Sequence, residues 1–312
     1  MSKNNADHIN NFNNLPAETL YQYNGRSRRT VRAIAGVLMA LSPEIKQPPA
    51  HQVITQVKSE KSSTDRSYPN SIWSGYVAIN EKAFKAVEGR IKVPKIECTV
   101  PGASVAFWVG YTALGSSVEQ TGITEECSLP PSHPGGPKFS YDKYKPVVSE
   151  YAWWAMFGVG GGGEFHLKIS PGDIVDYRVG YDKGVYDMSV RDLTTDKSGS
   201  KTAVCQPAII SDINNKPVKG ACVPSEVEWI VERPGASPLA DFGTVRLYDN
   251  TATNYRGQIK PINAYGVAGD NTNITVYALN MVNGKKLDET HNLRNDGSFE
   301  VTWLAAGKPG GM

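Results

Sequence analysis

The chain has 312 residues, 40% of them hydrophobic, enough to bury a full core in one large β domain with an appendage or in two smaller domains. The formal net charge of only +2 lacks the basic signature of a nucleic-acid binder, so no nucleic-acid partner is expected. No apolar run reaches the ~18 to 20 residues that cross a bilayer as a helix, and 15 Tyr, 6 Trp, 30 Gly and 20 Pro favour strands and turns over helices.

Residues 1 to 68 form a distinct piece. Residues 1–70 carry a formal charge of +4 against −2 for the remainder, are rich in Asn, Ser, Lys and Pro, and end in the linker-like SEKSSTDRSYPNS. The first twenty residues, MSKNNADHINNFNNLPAETL, are polar and lack the apolar run of a secretory signal. RSRRTVRAIAGVLMALSP has a basic start and a short apolar stretch, and its spacing predicts an amphipathic helix near Arg29 to Leu41. We expect residues 1–68 to be an N-terminal extension or pro-segment and residues 69–312 to be the main domain.

From Ile72 onward the pattern is one of short β-rich runs, among them WSGYVAI, SVAFWVGYTAL, YAWWAMF, FHLKI, DIVDYRVGYD, EVEWIVE and NITVYALNMV. Hairpin turn chemistries such as SPGD, DKG, VNGK and RNDG stand between them. This spacing, with no long helical period, predicts an antiparallel sandwich or barrel. GVGGGGE formally matches a dinucleotide fingerprint, but FHLKI follows it as a strand instead of a helix, so a hairpin tip is expected there. His8, His51, His133, His166 and His291 show no ligand spacing and the four cysteines no CxxC, so no metal and no cofactor are implied. Cys98, Cys127, Cys205 and Cys222 allow three fully paired connectivities, and a bridge between Cys205 and Cys222 would close a turn-rich stretch.

The run SEVEWIVERP puts carboxylates on a strand of buried character. Alternation places Glu226, Glu228, Ile230 and Glu232 on one face and Val227, Trp229, Val231 and Arg233 on the other. Such glutamates can simply guard an edge. As chemistry, Glu228 and Glu232 stand roughly 13 Å apart, too far for the paired carboxyls of a glycosidase, so a catalytic Glu232 needs a partner elsewhere.

Read in order, WSGYVA, VPKIECTVP, AFWVG, EQTG, YAWW, SPGDIVDYRV, VRDLTT, EVEWIVERP and PLADFGTV resemble the glutamic peptidases called eqolisins, the pepstatin-insensitive acid proteases, over roughly Ile72 to Trp303. The resemblance implies an all-β fold, a two-sheet antiparallel sandwich of concanavalin A-like or jelly-roll type, with an active site on one sheet. By motif position it implies catalytic roles for Gln120 and Glu232, and substrate-groove roles for Trp73 and Trp153. It also implies polypeptide substrates, a monomer, and secretion despite the absence of a clear N-terminal signal peptide. Glu232 would take a proton from water and return it to the leaving nitrogen, while the neutral amide of Gln120 stabilises the oxyanion and orients the water.

Three positions depart from the family pattern: Thr112, Thr124 and Ala155 stand where acids are usual. Fewer neighbouring carboxylates imply an optimum nearer about pH 4 to 6 than the strongly acid range. The same changes keep open a catalytically inactive sandwich of this fold that binds peptide or glycan.

Overall fold

The computed structural model describes residues 67–79, 84–112, 117–128, 146–157, 161–206, 209–211, 217–219, 222–265 and 274–308. The predicted helix near Arg29 to Leu41 lies outside these residues, as does all of the expected extension except Ser67 and Tyr68, which belong to the first strand.

In chain order the strands are β1 (Ser67–Asn70), β2 (Trp73–Ile79), β3 (Ala86–Lys92), β4 (Ser104–Thr112), β5 (Val118–Ser128) and β6 (Val147–Phe157). They continue as β7 (Gly161–Glu164), β8 (Ile174–Asp182), β9 (Val185–Asp192), β10 (Lys197–Val204), β11 (Ile209–Ser211) and β12 (Pro217–Lys219). The last six are β13 (Glu226–Glu232), β14 (Thr244–Thr253), β15 (Ile259–Pro261), β16 (Thr275–Met281), β17 (Asp288–Thr290) and β18 (Phe299–Trp303). One sheet runs β1-β16-β2-β13-β4-β5-β6-β7, the other β10-β9-β8-β3-β14-β18-β17 with β15 on β14, and β11 and β12 make a separate ribbon. All neighbours within the two large sheets pair antiparallel except β1 with β16.

The sheets pack face to face over one large apolar cluster, which takes Phe107, Val109, Ile123, Val227, Trp229 and Val231 from the first sheet and Val87, Ile91, Val175, Val179, Met188 and Val245 from the second. A buried side chain of this size contributes about 1.5–3 kcal/mol. Among the hydrogen bonds that join the two sheets, Trp229 Nε1 donates to the Glu88 carbonyl at 2.7 Å, and Tyr111 Oη donates to the Val179 carbonyl at 3.1 Å. Anchoring Trp229 and Tyr111 inward fixes which residues of β13 and β4 face outward, because strand side chains alternate.

Two segments differ from the sequence-based reading. FHLKI buries Phe165, Leu167 and Ile169 in strand-like alternation but joins no ladder, and one backbone bond, Phe165 N–H to the Ala152 carbonyl, ties it to β6. Gly161 to Glu164, expected at a hairpin tip, form the edge strand β7; glycines allow close approach, with a Cβ at Gly162 falling 3.0 Å from the Trp154 carbonyl oxygen. The cysteines pair as Cys98–Cys127 and Cys205–Cys222.

Candidate active site

The outer face of the first sheet, turned away from the core, carries a second apolar cluster: Val77, Ala106, Trp108, Trp153, Ile230 and Leu279 belong to it, with Trp73 and Tyr277 packed against it. Register makes this face a lattice of rows. Glu232 lies between Trp73 of β2 and Ala106 of β4, and that row continues to Thr124 and Tyr151. Ile230 heads the row of Trp108, Gly122 and Trp153. Glu228 heads the row of Gly110, Gln120 and Ala155. All four site residues expected from sequence therefore share one face, but Gln120 is in line with Glu228, two strands across and four residues along from Glu232.

Trp108 links the two halves, and sequence reasoning did not single it out. Its Nε1 donates to Glu232 Oε2 at 2.7 Å, while its Cζ3 lies 3.1 Å from the place a Cβ on Gly110 would occupy, next to the Cβ of Gln120. The indole thus touches Glu232 at its nitrogen edge and the Gln120 row at its other end. Gly122 makes room for it, since a Cβ there would stand 2.5 Å from Trp108 Cβ and 2.2 Å from the Phe107 carbonyl oxygen. The only advance signal was the aromatic in AFWVG, which alternation puts on the outer face.

Glu232 is 2% exposed and Gln120 1%. Burial pushes the Glu232 carboxyl up to about 7, against the opposing hydrogen bond from Trp108. Trp73 packs edge-on against Trp108, ring centroids 5.3 Å apart, and its indole lies close enough to Glu232 to act in the same direction as Trp108. Trp73 Nε1 nevertheless makes no formed hydrogen bond, so Trp108 is the donor that holds the carboxyl. Glu232 Oε1 and Gln120 Oε1 are buried without hydrogen-bond partners.

The three neutral positions have defined partners on the same face. Thr112 Oγ1 donates to Glu228 Oε1 at 2.7 Å, Thr124 Oγ1 accepts from Trp153 Nε1 at 2.9 Å, and Ala155 lies beside Gln120. Arg233 is buried, its Nη2 donating to the Lys308 carbonyl at 3.1 Å. Among the described residues no group of three His, Cys, Asp or Glu has metal-binding geometry, and no helix is long and apolar enough to cross a membrane.

A two-sheet sandwich with a buried glutamate and an aromatic-lined outer face is the architecture of a glutamic-type peptidase. The sequence pattern of the Peptidase A4 family matches residues 71–291, and the chain belongs to that family, the eqolisins, which are hydrolases acting on polypeptides. Among solved structures, scytalido-glutamic peptidase with a peptide-based transition-state analogue is similar at TM-score 0.52 and 17% identity, over 75% of this chain and 99% of that one. SCP-B, a member of the Eqolisin family in complex with the tripeptide Ala-Ile-His, is similar at TM-score 0.50 and 16% identity, over 75% and 99% of the two chains. A comparison with curated protein sequences gives no match.

Proposed function

We propose that the protein is an endopeptidase in which Glu232 activates water and Gln120 stabilises the oxyanion. The observation that carries the reading is the state of Glu232 on the outer face: one oxygen is held by Trp108, and the other is buried without a partner. The held oxygen fixes the plane of the carboxylate, and the open one is the base. It takes a proton from a water as that water attacks the scissile carbonyl carbon, and the carbonyl π electrons move to oxygen. Gln120 Nε2 donates to the resulting oxyanion. Collapse of the tetrahedral intermediate breaks the C–N bond as Glu232 returns the proton to the leaving nitrogen.

Gln120 and Glu232 work at one carbonyl if their side chains converge over the Trp108 indole, which supplies the floor between them. Trp73 and Trp153 then wall the substrate on either side: Trp73 beside Glu232, and Trp153 in the row between Glu232 and Gln120. Both disulfides fit an oxidising compartment, which favours secretion. Within the expected 1–68 extension, the part ahead of β1 is the detachable piece, since Ser67 and Tyr68 pair with β16.

Digestion of casein across about pH 2 to about pH 8, with and without pepstatin, tests the reading. Pepstatin-resistant cleavage is expected. Absence of cleavage throughout, with retained binding of peptide or glycan, supports the non-catalytic alternative.

A further inference from the structure

The row that carries Gln120 also carries an acid that the chemistry above leaves unused. Glu228, Gly110 and Gln120 are register partners on β13, β4 and β5, so the backbones of Glu228 and Gln120 stand two strand spacings apart, about 9.6 Å. Gly110 contributes no side chain between them. Gln120 stands close against that glycine, its Cβ only 2.8 Å from where a Cβ at position 110 would stand. Glu228 is 1% exposed.

On either side of Gly110 the row holds a buried oxygen without a partner, Glu228 Oε2 and Gln120 Oε1. Two such acceptors would repel if brought together, whereas one proton turns them into a donor and an acceptor. Thr112 already donates to the other oxygen of Glu228, leaving Oε2 as the place for that proton.

We propose that Glu228 is a positioning residue for Gln120: as the neutral acid, anchored by Thr112, it donates from Oε2 to Gln120 Oε1, directly or through one water, and so turns the amide N–H groups toward the substrate oxyanion. The role rests on the reading of Gln120 as oxyanion donor. A second lone pair on the Gln120 carbonyl stays available to the attacking water.

The surroundings favour the neutral acid. Glu226 and Glu232 flank Glu228 on its own strand, Glu119 lies on β5 two strands away, and Tyr277 stands one strand beyond Val77, while the hydrogen bond from Thr112 acts in the opposite direction, toward the ionised form. Burial is the largest influence, and the acidic neighbours add to it, pushing Glu228 up to about 8. Thr112 gains a meaning beyond the loss of an acid: a hydroxyl can donate to the Glu228 carbonyl oxygen, whereas an ionised aspartate there could not and would add a like charge.

The test uses the full-length chain with casein as substrate. Glu228→Gln retains a neutral donor of the same shape and should keep kcat within about threefold, whereas Glu228→Leu should lower kcat about tenfold with KM within about twofold. Equal losses in the two variants, or an effect confined to KM, overturn the proposal. Gln120→Ala separates the two readings: if it leaves turnover intact, the oxyanion role of Gln120 fails independently of Glu228. An atomic-resolution crystal structure of the wild-type chain decides the contact itself, whatever the activity and whether or not the leucine variant folds. Glu228 Oε2 bonded to Gln120 Oε1, or joined to it by one water, is expected; side chains turned apart with no bridging water overturn the proposal.

Discussion

Trp108 Nε1 donates a 2.7 Å hydrogen bond to Glu232 Oε2, and the far edge of the same indole rests over Gly110 beside Gln120. One side chain therefore holds the acid and reaches the row that carries Gln120. A neutral donor to a carboxylate stabilises the ionised form, so Trp108 opposes the burial that pushes Glu232 up to about 7.

Trp108→Phe keeps an aromatic ring in place and removes only the N–H donor. A hydrogen bond to a charged group contributes about 1.5–3 kcal/mol, so the rising limb of the pH–rate profile should move up by about 1 to 2 pH units from its wild-type midpoint near 7. A midpoint that stays put would show that Trp108 does not hold the carboxylate. Because burial is the largest cause of the Glu232 value, that midpoint lies above the optimum inferred from neighbouring charges alone.

Stability should fall as pH rises. Glu125 is fully buried on the core side of β5 with neither oxygen bonded, and burial, then the charge of Glu150 beside it, pushes it up to about 8. Burial pushes Glu119 up to about 7. A carboxyl whose value is raised in the folded state contributes its full stability below the unfolded value of about 4.5 and loses it as pH climbs through the folded value. Each such group costs about 1.4 kcal/mol per pH unit across that window. The thermal midpoint should therefore be highest near or below about pH 4.5 and fall steadily toward about pH 8, and Glu125→Gln should flatten the fall. A Tm independent of pH across this window in the wild type would contradict the buried-acid account.

The faces of the strands were legible in the sequence, and the rows across them were not. Alternation in EVEWIVE correctly separated Glu226, Glu228, Ile230 and Glu232 from the inward Val227, Trp229 and Val231. Alternation says nothing about which residue of β4 or β5 lies opposite which residue of β13, since register depends on pairing partners far apart in the chain. Hence the alignment of Gln120 with Glu228, and the reach of Trp108 between the Gln120 and Glu232 rows, came only from the fold. Gln120 and Gly122 both sit within β5, where the missing side chain of Gly122 admits Trp108. Phe165 to Ile169 misled for the opposite reason: the alternation is real, but it serves burial against the core without ladder hydrogen bonds.

Gly122→Ala tests that packing. The added methyl would meet the Phe107 carbonyl oxygen at 2.2 Å and Trp108 Cβ at 2.5 Å, so backbone and indole must both shift. Overpacking of this kind costs about 1–3 kcal/mol or more, and denaturant unfolding should show a loss of at least about 2 kcal/mol together with reduced turnover. A variant with wild-type stability and activity would mean that β4 and β5 are not packed in this register.

Turnover by the Glu232→Gln variant tests the central claim most directly. The substitution keeps the size of the side chain and its bond from Trp108, removes the base, and relieves a buried acid, so the variant should fold with an unchanged or higher Tm. Cleavage of casein at the wild-type optimum should drop by about 10²- to 10⁴-fold, the contribution of a positioned general base. A folded Glu232→Gln protein that cleaves at near wild-type rates would contradict the assignment of Glu232 as the water-activating residue.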